Sequence, residues 1–277
     1  MENPPKGAAE RRRTLAALKV CLARIESAAR SDRRATGHWR FGAEELDGEL
    51  GGDVLLRDRL HEVRPATMDG GAAAGFAVAL ALRLQRATGP GIVLWCDRFA
   101  AMREAGALYG PGLVDLGLDP GRLIHVALRR DSDVFWAMEE GLKSRATVAV
   151  VGEVAEADLT ASRRLSLAAQ ETGVTPILIR GPADHGASAA WTRWTVAAAP
   201  SAADTFEPRA PGRTRWEVEL TRSRAGARPQ TWTLEWSHET HRFSVVAGLA
   251  DRTLAPRRTA AAAIVERLDA ERRRRTA

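Results

Sequence analysis

Residues 65–75 (PATMDGGAAAG) lie between a short apolar segment and a long one, the setting of a turn that cradles phosphate. Such turns hold an anion with backbone N–H groups and with the positive end of the helix that follows. Hydrolysing a nucleotide there takes more, because G-x-x-x-x-G-K-[ST] supplies a lysine to the β/γ-phosphates and a hydroxyl to magnesium. Here those two positions are Ala72 and Ala73, no lysine falls between Lys19 and Lys143, and Asp69 adds a charge that repels phosphate. Gly70, Gly71, Ala72, Ala73 and Gly75 are therefore expected to form a vestigial phosphate loop, with no nucleotide cofactor and no hydrolysis.

The rest of the catalytic repertoire is equally thin. A magnesium-binding carboxylate belongs at the end of an inner strand, where TVAVVGEV offers only Gly152 and Glu153, and Glu153 is expected to be solvated. Asp97 after GIVLWC stands alone. Of six histidines only His238 and His241 are close in sequence, and two ligands do not make a zinc site. No G-x-S-x-G elbow is present, and nothing around Cys21 marks a nucleophile. The sequence thus predicts no catalytic residues and no metal.

Binding chemistry is better represented. Arg213, Arg215, Arg222, Arg224 and Arg228 surround a predicted hairpin that also carries Trp216 and Trp232. Arginines beside exposed aromatic rings grip single-stranded nucleic acid; the alternative is a strand with solvated arginines and buried tryptophans. Arg222 and Arg224, with Arg272, Arg273, Arg274 and Arg275 near the end of the chain, are the basic candidates for DNA or a partner. Trp95 and Trp136 are expected in the core.

Hydrophobic patterning supplies the frame. Strands are predicted at 59–63, 91–96, 123–128, 147–154 and 174–180, with helices between them, including 132–144 capped by Ser132. This alternation predicts an α/β fold with a mostly parallel sheet flanked by helices. Beyond Gly181, short Thr/Trp/Val-rich runs predict antiparallel strands added at the sheet's edge in the C-terminal third.

The 277 residues carry 41 Lys+Arg, 35 Asp+Glu and two cysteines, a composition for a packed core without disulfides. Both ends are basic and the middle is mildly acidic. Residues 8–30 read as a helix with one apolar stripe, Leu15, Leu18, Leu22 and Ile25, too short for a free coiled coil. It must dock on its own domain or on another chain. Residues 31–53 look like a linker. The division predicted is 1–50 basic helix and linker, 51–250 core, and 251–277 basic tail. No apolar run is long enough for a membrane helix, and no apolar signal core follows MENPPKGAAERRR, so a cytoplasmic protein is expected.

The order of LHEVRP, GGAAAGFA, VLWCDR, GALYGPGLVDLGLDPGRLI, VFWAMEEGLKS, VAVVGEV, DLTASRRLSLAAQETGVTPILIR, TRWTVAAAPS and LTRSRAG resembles a RecA-type recombinase core. More narrowly it resembles the ImuA-like, damage-inducible mutagenesis proteins of bacteria, over roughly residues 50–225, with EWSHETHRFSVV also fitting. The resemblance implies a RecA-like fold without the hydrolytic loop. It also implies an accessory role beside an inactive Y-family polymerase homologue and an error-prone replicative-type DNA polymerase. The Leu15–Leu18–Leu22–Ile25 stripe would then face a second copy of the chain or the polymerase partner. Arg222 and Arg224 would lie near a subunit interface, and DNA is a further candidate partner. A division inhibitor of the SulA type, binding the tubulin-like division protein, and a residual ATP-binding recombination mediator are the alternatives.

Overall fold

The computed structural model describes residues 37–68, 70–89, 91–144, 146–202, 210 and 212–246. Among them nine strands form one sheet in the order β3-β2-β4-β5-β1-β6-β7-β8-β9. They are β1 His61–Pro65, β2 Ile92–Arg98, β3 Leu123–Leu128, β4 Thr147–Val154, β5 Thr175–Arg180, β6 Thr192–Ala198, β7 Arg215–Ser223, β8 Gln230–Ser237 and β9 Arg242–Val245. Strands β3 to β6 in that order, with β1 between β5 and β6, run parallel. Pairing turns antiparallel only from β6 to β9. The α/β class with added C-terminal antiparallel strands is therefore as the sequence predicts. The boundary moves by one strand, because β6 continues the parallel half.

Among the described residues six α-helices accompany the sheet: α1 Glu44–Leu50, α2 Gly70–Thr88, α3 Phe99–Ala105, α4 Gly110–Leu116, α5 Asp131–Lys143 and α6 Leu159–Thr172. Helix α2 is rich in alanine, the best helix former, and ends where Gly89 takes φ +93°, a backbone that residues with a Cβ avoid. Ten of its residues are buried. They share a core with Val63, Val93, Trp95, Val151, Ile177 and Trp194 on one face of the sheet. Helices α5 and α6 cover the other face over β2, β4 and β5, where Val134, Met138, Leu142 and Leu165 join Cys96, Val150 and Leu178.

The region expected as a linker contributes to the α2-side core: Trp39, Phe41, Leu46 and Leu50 are buried, and 44–50 is helical. Phe41 packs against Phe76, Trp194 and Phe243 with ring centroids 5.4–6.3 Å apart, and each such pair adds about 0.5–1.5 kcal/mol beyond burial. Ser132 is not a cap. Helix α5 starts at Asp131 with Arg130 at the N-cap and no side-chain cap bond. Trp95 is in the core, but Trp136 is not: it is 62% exposed, near the far side of α5 from Val134 and Met138. No helix among the described residues is long and apolar enough to cross a membrane.

Candidate functional site

Strand β1 delivers the chain to the Gly-rich turn at the middle of the sheet. Pairing persists one residue past the strand, with the Ala66 N–H donating to Val196 O at 2.8 Å. Met68 then stands 87% exposed, and α2 begins at Gly70. Gly70, Gly71, Ala72, Ala73 and Gly75 thus occupy the first two turns of the helix, and no glycine among them takes a positive φ. Ala72 and Ala73, at the lysine and hydroxyl positions of a working loop, are 8% and 0% exposed and belong to the core.

Beside the turn, the carboxyl ends of β2 and β4 hold a small ionisable group. Asp97 accepts from His125 Nε2 at 2.8 Å, and its burial holds the carboxyl above its usual range despite that bond. Glu153 is half-buried, not solvated; burial and then the nearby Asp97 charge raise its pKa, while Arg98 opposes them. Arg98 Nε lies 2.9 Å from Asp131 Oδ1, and Asp131 Oδ2 accepts from the Ala155 and Glu156 N–H groups. Among the described residues no three His, Cys, Asp or Glu side chains are grouped as a metal ion would need. The Cys96 thiol is buried and pushed up to about 12, which leaves it protonated and inert. His238 Nδ1 contacts Asp115 O, while His241 stacks on Trp236 and meets Arg86.

The larger concentration of charge is on the opposite face of β1. Alternation along HEVRP sends Val63 into the α2-side core and leaves Glu62 and Arg64 on the other face. Register places Arg193 beside Glu62 and Thr195 beside Arg64; the next pairing places Arg222 beside Arg193. Arg180, the last residue of β5, completes the group. These residues line a cavity of about 290 Å³ together with Asp184 and His185 of the 181–191 loop.

Its charges are unequally matched. Glu62 and Arg180 are each 3% exposed by side chain. Arg180 donates to Glu62 at 3.2 Å, to Asp184 Oδ2 at 2.8 Å and to Ala157 O at 2.7 Å. Burial works against that guanidinium's charge, but Asp184 and Glu62 outweigh it and hold the pKa above its ordinary value. Burial likewise opposes the charge on Asp184, yet Arg180 and the N–H groups of Gly186 and Ala157 keep its carboxyl below the usual range. Arg193 donates to Glu62 at 2.8 Å and to Gly186 O at 2.7 Å. The two carboxylates are therefore taken up by Arg180 and Arg193. Among the described residues Arg64 bonds Asp184 O, His185 Nδ1 and Thr195 Oγ1 and no carboxylate. Arg222 is exposed, and its guanidinium has no hydrogen bond or ion pair among the described residues.

Of the basic candidates, Arg222 lines this cavity and Arg224 is exposed next to it, its N–H donating to Trp191 O. Arg213 and Arg215 pair with Glu235 instead. Trp216 and Trp232 are buried, so the hairpin offers no aromatic platform. Leu15, Leu18, Leu22 and Ile25, and Arg272, Arg273, Arg274 and Arg275, lie outside the described residues. The sequence reading missed Glu62, Arg64, Arg180 and Arg193. The signal was present, since charges inside otherwise buried strands must find partners.

Sheet and turn together define an α/β protein with a mixed, mostly parallel sheet whose central Gly-rich turn carries no lysine. The chain is 34% identical over 231 residues to Protein ImuA of Caulobacter vibrioides strain NA1000 / CB15N, an alignment covering 78% of this chain and 91% of that protein. The same figures hold for Protein ImuA of C. vibrioides strain ATCC 19089 / CIP 103742 / CB 15. No family model matches the chain. It belongs to the ImuA family.

Proposed function

We propose that this chain is a non-catalytic accessory factor in DNA-damage-induced mutagenesis, built on a RecA-type core and acting by assembling translesion polymerase components. Family membership supports the biological role. The observation that carries the non-catalytic part is the burial of Ala72 and Ala73 in the core at the lysine and hydroxyl positions. Without those groups the turn has no clamp for a triphosphate and no ligand for its magnesium. Six parallel strands, with the Gly-rich turn following central β1, support the RecA-type reading. The partners are an inactive Y-family polymerase homologue and an error-prone replicative-type DNA polymerase, with the Leu15–Leu18–Leu22–Ile25 stripe as the contact.

Affinity capture from an extract of DNA-damaged cells tests assembly, and both polymerases are expected to co-purify with the full chain. Capture of the tubulin-like division protein in their place would move the chain to the SulA-type reading. Equilibrium dialysis against ATP with magnesium tests the turn. No binding at micromolar nucleotide is expected; saturable, magnesium-dependent binding would revive a nucleotide-driven mediator.

A further inference from the structure

The cavity below the 181–191 loop is built, and its imbalance is fixed by the fold. Arg180 and Arg193 cannot turn outward, because Glu62, Asp184 and two backbone carbonyls hold them. They form a rigid, internally neutral floor. Arg64 and Arg222 stand above it with their charges uncompensated, and Thr195 Oγ1 lies 3.3 Å from the Arg64 guanidinium. Two unmatched guanidinium groups at one mouth, with no further carboxylate in the lining, make a site for an anion of more than one charge.

The surroundings point to a polymeric one. Arg224 and Arg228 continue from Arg222 along the β7–β8 connection, both exposed. None of the three guanidinium groups is paired among the described residues. Strand β7 ends at Ser223, and Arg224 opens the turn that follows it. Such a row suits a regular string of phosphates better than one isolated anion. Arginine also presents a flat face on which an unpaired base stacks, so a single strand gains from the row what a duplex cannot.

We infer that Arg64 and Arg222 form the head of a phosphate-binding track, continued by Arg224 and Arg228, that holds single-stranded nucleic acid. This inference does not rest on the assembly reading, since a chain that captures no polymerase can still bind a strand here.

Fluorescence anisotropy of the full-length chain with a labelled dT oligonucleotide tests it, with salt titrated from about 50 to 200 mM. R64Q/R222Q is expected to bind at least tenfold more weakly at the lowest salt. Two lost phosphate contacts should also flatten the slope of log K against log salt by about 1.4, at about 0.7 per contact. R222Q alone removes an exposed, unpaired side chain, so it keeps the fold and should show about half that slope change. R163Q, a neutralised exposed arginine on α6, should bind as the unaltered chain does. Equal binding by R64Q/R222Q and the unaltered chain would overturn the inference and leave the basic ends as the source of affinity. Polyglutamate competing as well as an unlabelled dT oligonucleotide would also overturn it, in favour of an acidic protein partner.

Discussion

On one face of β1, Val63 lies in the core that α2 covers; on the other, Glu62 and Arg64 face a charged cavity whose lining includes no residue of the described helices. The same five residues serve both, because a strand's side chains alternate. On the α2 face the Gly-rich turn has been absorbed into packing, with alanines where a nucleotide-hydrolysing loop places its functional groups. On the open face the charges are retained at the cost of a buried ion-pair network. Burying charged groups is unfavourable unless each is paired and hydrogen-bonded. Arg180, Glu62 and Asp184 meet that condition and leave Arg64 and Arg222 unmatched. On the reading proposed above, binding chemistry belongs to the open face and not to the turn where the sequence motif draws attention.

The sharpest way to break this comparison is to restore the cation at the turn. Ala72 stands at the lysine position and is 8% exposed, so Ala72→Lys places an ammonium against the α2-side core. A loss of about 3–5 kcal/mol in urea unfolding is expected, the range for an unpaired buried charge. If Ala72→Lys folds normally and gains magnesium-dependent ATP binding, the turn needs only its lysine to work and the contrast between the faces disappears.

The α2 face also buries a histidine at the start of β1. His61 is 0% exposed, with Nε2 donating to Leu56 O at 2.9 Å and Nδ1 2.7 Å from Thr192 Oγ1, which also accepts from the Trp194 indole at 2.8 Å. Burial lowers its pKa from the ordinary 6.5 to about 4, so the ring is neutral near pH 7. The unfolded chain takes up this proton as pH falls through about 6.5, while the folded chain resists until about 4. Stability is therefore complete above 6.5 and is lost between 6.5 and 4, by about 3 kcal/mol at about 1.4 kcal/mol per unit. Urea midpoints of the unaltered chain and His61→Gln at pH 7 and pH 4.5 check this. Equal losses in the two proteins would place the acid sensitivity elsewhere.

A smaller effect is expected where the open face takes its shape. Gly181 begins the loop that carries Asp184 and His185, and a Cβ there would lie 2.6 Å from Ala155 O, a backbone atom that cannot swing away. Gly181→Ala should cost about 1–3 kcal/mol and loosen the Arg180–Asp184 contact. Thermal unfolding together with the oligonucleotide titration reads both. Unchanged stability would show that the β5 end shifts freely and that the floor of the cavity is not rigid.

How far these two faces were legible in the sequence depends on period. Continuous apolar runs such as TVAVVGEV and LIHVAL give their strands to the residue, and Ala-rich 70–88 gives α2, although β3 lies at the sheet's edge and only β4 is buried on both sides. The charged cavity was legible only as strand charges in need of partners, not as one site. Glu62, Arg180 and Arg193 come from three strands distant in sequence, and only the order β5-β1-β6 makes them neighbours. Pattern also misled in short segments. Residues 44–50 look like a polar loop by composition, yet Leu46 and Leu50, four apart, are enough to bury one side of a two-turn helix. Trp216 and Trp232 read equally well as a stacking platform or as core, and the register of β7 against β8 places both inward.

Trp136 gives the mildest perturbation and separates the two kinds of tryptophan. Its size and its apolar neighbours Val134, Phe135 and Met138 argue for the core, but helical geometry places it about 160° away from both Val134 and Met138. Those two point to the sheet, so the indole must face solvent, as its 62% exposure shows. A core tryptophan loses about 3–5 kcal/mol on truncation, whereas an exposed one changes stability by no more than about 0.5 kcal/mol. Trp136→Ser is expected to fall in the second class, and Trp95→Ala, removing a side chain 1% exposed, in the first. Iodide quenching supplies an independent measure, because the accessible fraction of the emission should fall in Trp136→Ser. A loss of several kcal/mol in Trp136→Ser would mean that α5 is rotated and that its outer face is packed against something.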